Sequence, residues 1–178
     1  MTRLRLFGYS LFELCLVLSI SAILVIVALP AFQDFAQQEK TQTTVYQLVN
    51  LLNYARLSAI KLHTAVTFCA SLDHETCNPN WLGDFMVFID ETAAGKVANK
   101  KDLLRIWQVP LEQGTFRWQA KQNYLIMQPT GINPGNAGKF YYCPVDHNLD
   151  YARAIVINFV GRIAITDQQT ESKLHCDH

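Results

Sequence analysis

The stretch "LCLVLSISAILVIVALPAF", Leu14 to Phe32, constrains this chain more than any other: nineteen residues in which only Ser19 and Ser21 are polar. A helix rises about 1.5 Å per residue, so the run approaches the roughly 30 Å of a bilayer's hydrocarbon core. Arg3 and Arg5 precede it, and the next basic residue is Lys40. By the positive-inside rule the N-terminus stays cytoplasmic and the remainder lies across the membrane. The expectation is a single-pass anchor carrying a soluble part outside the cytoplasm.

Glu13 sits at the mouth of this run. An ionised side chain deep in a membrane costs on the order of 3 kcal/mol even on lenient insertion scales, so such residues usually have a partner. The neighbours Tyr9, Ser10, Phe12, Leu14, Leu16 and Val17 include no cation. A positively charged chain end would serve. Cutting after Gly8 frees the α-amino group of Tyr9, close to Glu13 in sequence and available to a neighbouring subunit. Opposite unit charges about 4 Å apart attract by about 4 kcal/mol at an effective dielectric near 20, enough to offset the burial. On this reading the acid is an assembly device.

"RLRLFG" followed by "YSLFELCLVLSISAILVIVALP" resembles the N-terminus of type IV prepilins and type II secretion pseudopilins. The resemblance implies a short basic leader ending at Gly8 and cut there by a prepilin peptidase. It implies Tyr9 as the N-methylated new terminus and Glu13 as the assembly acid. Pro30 matches the proline that commonly bends or locally melts this helix. Tyr9 departs from the commoner Phe or Met, but keeps the aromatic character. The competing reading is an ordinary secretory signal with "VALPA" as a poor cleavage site. Such a signal has an uncharged apolar core of about 7–15 residues, and this run is longer and holds Glu13.

After Pro30 the pattern becomes amphipathic. Val45, Leu48, Val49, Leu52, Ala55 and Ala59 recur at helical spacing, with Gln47, Asn50, Asn53 and Lys61 largely on other faces. No Gly falls between Tyr9 and Leu62, so one helix of roughly 80 Å is expected. From Thr64 the texture changes to short β-rich runs: "TAVTFCA", "DFMVFID", "LLRIWQV", "TFRWQA", "NYLIMQ", "KFYYC" and "RAIVINFVGRIAIT". Turn chemistry separates them, in "CNPNWLG", "TAAGK", "EQG" and "PTGINPGNAGK". The expected class is α+β, with antiparallel sheet packed on the amphipathic half of the helix. The divisions are 1–8 leader, 9–32 membrane or filament-core helix, 33–63 amphipathic half-helix and 64–178 head.

The head sharpens the resemblance, to the GspH/FimT branch of pseudopilins. It rests on the helix-end "ARLSAIK", the strand "WLGDFMVFID" and the closing "GR" of "ARAIVINFVGR". It implies a type IV pilin-like fold and a structural role without catalysis or cofactor. The partners implied are the prepilin peptidase, inner-membrane lipid before assembly, and other pilins or pseudopilins joined through the N-terminal helix. The implied location is the inner membrane with the head periplasmic, then the pilus or pseudopilus.

Of the five cysteines, Cys15 lies in the apolar helix and reads as a reduced filler. Cys69, Cys77, Cys143 and Cys176 fall in the exported part, an even number in a disulfide-permissive compartment. Three pairings are open; the favoured one joins Cys69 to Cys77 and Cys143 to Cys176. A cysteine pair such as Cys69 with Cys77 looks more like the pilus minor pilins FimT and FimU than a typical secretion pseudopilin.

Charge bears on a second reading. The chain balances 15 basic against 15 acidic side chains, and loss of Arg3 and Arg5 leaves 13 against 15. That argues against DNA as an obligatory partner. FimT-type members that bind DNA carry "GRxR", and here Gly161 and Arg162 are followed by Ile163 and Ala164, so the second Arg is missing. Arg162 and Lys173 are the remaining candidate DNA contacts, and a strand turn with a solvated Arg explains Gly161–Arg162 as well.

Other motifs read as structure. His175, Cys176, Asp177 and His178 are too close together at a chain end for a zinc site, and His74 beside an oxidised cysteine pair meets the same objection. "GINPGNAGKF" is not a phosphate loop, since Asn133 stands where the first Gly belongs and Phe140 where Ser or Thr should follow Lys139. Trp81, Trp107 and Trp118 read as core, and Asp84 and Asp90 as solvated strand ends. No nucleophile elbow, dinucleotide fingerprint or metalloprotease helix occurs, so no enzyme is expected.

Overall fold

The computed structural model describes residues 10–135, 137–145, 148–166 and 176. The chain divides into two compact units, Met1–Glu39 and Lys40–His178. One helix, α1 (Leu11–Leu62), contributes to both and runs through Pro30. Its character changes along its length, as the pattern predicts. Every described side chain from 11 to 35 is exposed, whereas Thr41, Thr44, Val45, Leu48, Leu51, Leu52, Ala55 and Ala59 are buried. That second set spaces at three and four residues, so it forms one stripe.

In the second unit the stripe meets two four-stranded antiparallel sheets rather than one. The first comprises β1 (Val66–Ser71), β2 (Asp84–Ile89), β3 (Leu103–Trp107) and β5 (Leu125–Met127), in the order β3-β2-β1-β5. The second comprises β4 (Gly114–Gln119), β6 (Gly138–Pro144), β7 (Arg153–Ile157) and β8 (Ile163–Thr166), in the order β4-β6-β7-β8. The run 153–166, continuous in hydrophobic texture, is a hairpin: Ala154 to Ile157 pair with Thr166 to Ile163 around a turn at 158–162.

Alternation along the strands explains the single core. Val66, Phe68 and Ala70 of β1 face inward with Phe85 and Val87 of β2, Phe116 of β4, Phe140 and Tyr142 of β6 and Ile155 and Ile157 of β7. Leu48, Leu52, Ala55 and Ala59 of α1 close that core, and each fully buried Leu contributes about 1.5–3 kcal/mol. Trp81 enters from the β1–β2 loop and meets Phe140 edge-on at 5.0 Å. Trp118 lies 4.4 Å from Phe140, and Trp107 packs on Phe85 at 5.7 Å. All three tryptophans therefore belong to the aromatic core, as expected.

Each sheet also has a covered outer face, and a disulfide sits on each. Cys69 points away from the core with Met86 and Phe88, packed against Cys77, Val97, Leu103 and Tyr124. It is bonded to Cys77, with Cα atoms 5.6 Å apart. On the second sheet Cys143 lies with Tyr141 and Ala154, and is bonded to Cys176 at a Cα separation of 5.5 Å. The sequence separations of 8 and 33 residues translate, by loop-closure entropy, into about 2.5 and about 3.7 kcal/mol. Replacing Cys143 and Cys176 together by Ser should thus lower the denaturant midpoint more than the Cys69/Cys77 pair does. Equal or reversed losses in parallel urea melts would show that packing, not loop length, sets their worth.

Candidate assembly segment and the Gly-Arg turn

The first described residues build the N-terminus of α1. Ser10 Oγ accepts the backbone N–H of Glu13 at 3.2 Å, and Ser10 O accepts that of Leu14 at 3.2 Å. Ser10 is thus the cap and Glu13 occupies the third helical position, the acid of an S-x-x-E capping sequence. The helix dipole favours an acid there by about 0.3–1 kcal/mol, which offsets only part of a cost near 3 kcal/mol on burial in lipid. This capping signal was present in the sequence and bears directly on Glu13. The hydroxyls of Ser19 and Ser21 donate to Leu16 O and Leu18 O, each at 2.9 Å. Both polar breaks are therefore satisfied inside the helix, as an apolar surrounding requires. By length and composition α1 is long and apolar enough to cross a membrane. Gly8 and Tyr9 lie outside the described residues, as does Lys173. Pro30 lies within α1 and leaves one helical carbonyl without its usual donor.

The head's motifs meet at the end of α1. Ala55 and Ala59 are fully buried, which lets the helix approach the sheets closely. Between them Arg56 donates from Nε to Gly131 O at 2.8 Å and from Nη2 to Val160 O at 3.4 Å. One guanidinium thus ties the β5–β6 loop and the β7–β8 turn to the helix. The turn is closed by Gly161 N–H to Asn158 O at 3.0 Å and by Arg162 N–H to the Asn158 side chain at 2.8 Å. Gly161 has φ +73°, and a Cβ there would stand 2.1 Å from Gly131 O. The Gly of the Gly-Arg pair is therefore demanded by packing. Arg162 contributes its backbone and leaves an exposed side chain, while Ala164 pairs with Val156 inside the second sheet.

The "WLGDF" stretch has a similar cause. Gly83 has φ +100°, and a Cβ would lie 2.1 Å from Ser71 O. Trp81 before it, at φ +56°, drops its ring into the core. The loop that Cys77 closes is organised by Asp73, whose carboxylate accepts the backbone N–H groups of Thr76 and Glu75 and the hydroxyls of Thr76 and Ser71. The Thr76 N–H, then the Glu75 N–H, holds Asp73 well below the usual carboxylate range.

Two carboxylates differ from their expected surroundings. Asp84 is not simply solvated but pairs with His74 Nε2 at 2.9 Å. Asp90 is buried, at 3% exposure, and accepts Thr67 Oγ1 at 3.0 Å and the N–H groups of Ala94 and Gly95 at 2.9 Å each. It shapes the β2–β3 turn. The two sit at opposite ends of β2 and form no acid–base pair. Asn133 is buried in the β5–β6 loop, where its N–H donates to Phe159 O at 2.9 Å. Among the described residues no cluster of three His, Cys, Asp or Glu is placed to hold a metal.

The comparisons bear on this head. The family described as "Type II transport protein GspH" matches residues 44–161, well over half of the chain. The chain belongs to the GspH family. The matched span runs from within the buried stripe of α1 through β1–β7 to Gly161. Two crystal structures of the type IV minor pilin FimU of Pseudomonas aeruginosa share the fold. One, in space group P21, has a TM-score of 0.56 at 22% identity, over 74% of this chain and 92% of that one. The other, in space group P65, gives 0.53 at 23%, over 70% and 91%. Comparison with curated protein sequences gives no match. A GspH-family head with the fold of these minor pilins thus follows a long apolar helix.

Proposed function

We propose that this chain is a minor pilin or pseudopilin that a prepilin peptidase cuts between Gly8 and Tyr9. The inner membrane then holds it through α1 until it joins a type IV pilus tip or a type II secretion pseudopilus. Tyr9 carries the methylated amino terminus, and Glu13 pairs with the terminus of a neighbouring subunit. One observation carries the reading: a GspH-family head follows a helix that is apolar from Leu14 to Phe32 apart from Ser19 and Ser21, with an acid in its first turn.

The physical sequence is simple. In lipid, acyl chains sheath the helix as far as Phe32; in the assembly, neighbouring helices replace them, with little change in apolar burial. Direction and register then come from a polar contact between Glu13 and a chain end. The test is incorporation. A Glu13→Ala chain should be cut as usual yet be missing from the sheared pilus or pseudopilus fraction; normal incorporation would refute the role of Glu13.

A further inference from the structure

The two disulfides of the head differ in what surrounds their sulfurs. Cys69 has no exposed surface and lies on the outer face of the first sheet among Met86, Phe88, Val97 and Tyr124. Its partner Cys77 is half-buried, with its backbone N–H held by Gly95 O at 3.0 Å. A thiolate attacking Cys77 must expel Cys69 as an anion into that apolar packing, where loss of hydration penalises charge. Attack on Cys69 itself finds no open surface. Cys143 and Cys176 stand differently. Both line a surface cavity of about 220 Å³ whose wall also includes Thr115, Arg117, Val145 and Leu149. Pairing of β4 with β6 puts Thr115 opposite Cys143 and Arg117 opposite Tyr141, so Arg117 is a diagonal neighbour of Cys143 on the same face. Thr115 and Arg117 are exposed and Cys176 is half-buried. Among the described residues of that wall, Arg117 is the only charged one.

We propose that Cys143–Cys176 is an exchange site for an external dithiol, while Cys69–Cys77 is a permanent bond. A thiolate of the dithiol attacks Cys176 Sγ. The bond between Cys176 and Cys143 breaks as the new S–S bond forms, and Cys143 leaves as a thiolate beside the Arg117 guanidinium, which opposes the new charge. The second thiol of the dithiol then attacks its partner sulfur in the mixed disulfide and releases Cys176. Two electrons pass: the dithiol is oxidised to a disulfide, the protein's bond is reduced, and the two protons lost by the dithiol end on Cys143 and Cys176. The reverse sequence closes the bond. Neither cysteine belongs to the main core, so opening unties the chain at Cys176 from β6 and leaves the stripe of α1 against both sheets. Loop length and access act separately here. The separation of 33 residues makes the closed bond the stable state, and the cavity makes it the quicker one to open.

The test uses the full chain in detergent micelles without denaturant. It is treated with dithiothreitol or with thioredoxin and quenched at intervals with N-ethylmaleimide, and each bond is read by peptide mass spectrometry. Cys143 and Cys176 should be labelled about tenfold faster than Cys69 and Cys77, with the near-ultraviolet circular dichroism of the aromatic core unchanged. Arg117→Gln should slow that opening about threefold and Arg117→Lys should restore it, both leaving the Cys69–Cys77 rate where it was. Faster opening by thioredoxin at equal thiol concentration identifies a protein dithiol as the natural source; faster opening by dithiothreitol identifies a small one. Equal rates for the two bonds overturn the proposal, as does earlier opening of Cys69–Cys77. So does loss of the aromatic signal in step with opening of Cys143–Cys176, or an Arg117→Gln chain that opens as fast as the wild type.

Discussion

Glu13→Ala should lower incorporation into the assembled fraction by about two orders of magnitude while leaving membrane insertion and cleavage at Gly8 as they were. The sign follows from what stays behind. On the proposed pairing, removing the carboxylate strands the partner's amino terminus among apolar helices, and breaking such a buried pair costs about 3–5 kcal/mol. Insertion is not impaired, since the variant loses a charge that is costly in lipid. The helix start survives because Ser10 Oγ holds the backbone N–H of residue 13, not its side chain. Glu13→Gln separates charge from shape: it keeps acceptor geometry but not the ion pair, so its defect should approach that of Ala. Quantitative immunoblots of sheared filament against membrane would measure both variants. Equal incorporation of Gln and wild type would mean that hydrogen bonding, not charge, sets the register.

Gly161→Ala should unfold the head far more readily than Arg162→Ala, although the two residues form one motif. An added Cβ would stand 2.1 Å from Gly131 O and 3.0 Å from Arg56 Nε, at a φ of +73°. Strain at that φ and displacement of the Arg56–Gly131 bond together cost about 3 kcal/mol. For a domain of this size that lowers Tm by about 9 °C. Arg162→Ala removes an exposed side chain and should stay within about 0.5 kcal/mol. Differential scanning calorimetry of the full chain in detergent decides it. A large loss from Arg162→Ala with little from Gly161→Ala would reverse the assignment and return the motif to its arginine.

Much of this architecture was legible because its causes are local. The apolar run, the change to an amphipathic stripe near Val45 and the absence of Gly between Tyr9 and Leu62 gave α1 almost residue for residue. The strand runs were visible because alternation and turn chemistry act over a few residues. What escaped depended on distant partners. Nothing near Leu125 says that β5 will pair with β1, or that β4 will leave β3 and join β6 in a second sheet. The hairpin at 158–162 was hidden by Phe159 and Val160, apolar residues at a turn tip. Asp90 reads as a solvated strand end only until Ala94 and Gly95 turn their N–H groups onto it. Arg56 looks like an ordinary helix-surface cation, and its role appears only when two loops far along the chain present carbonyls to it.

On the proposed function, this chain exposes a new terminus next to a membrane-embedded acid. Intact-mass and terminal-peptide mass spectrometry of the native protein reads that directly. The expected result is a mature chain starting at Tyr9 with one added methyl group on its α-nitrogen. A native chain starting anywhere else, near Phe32 for instance, would contradict it.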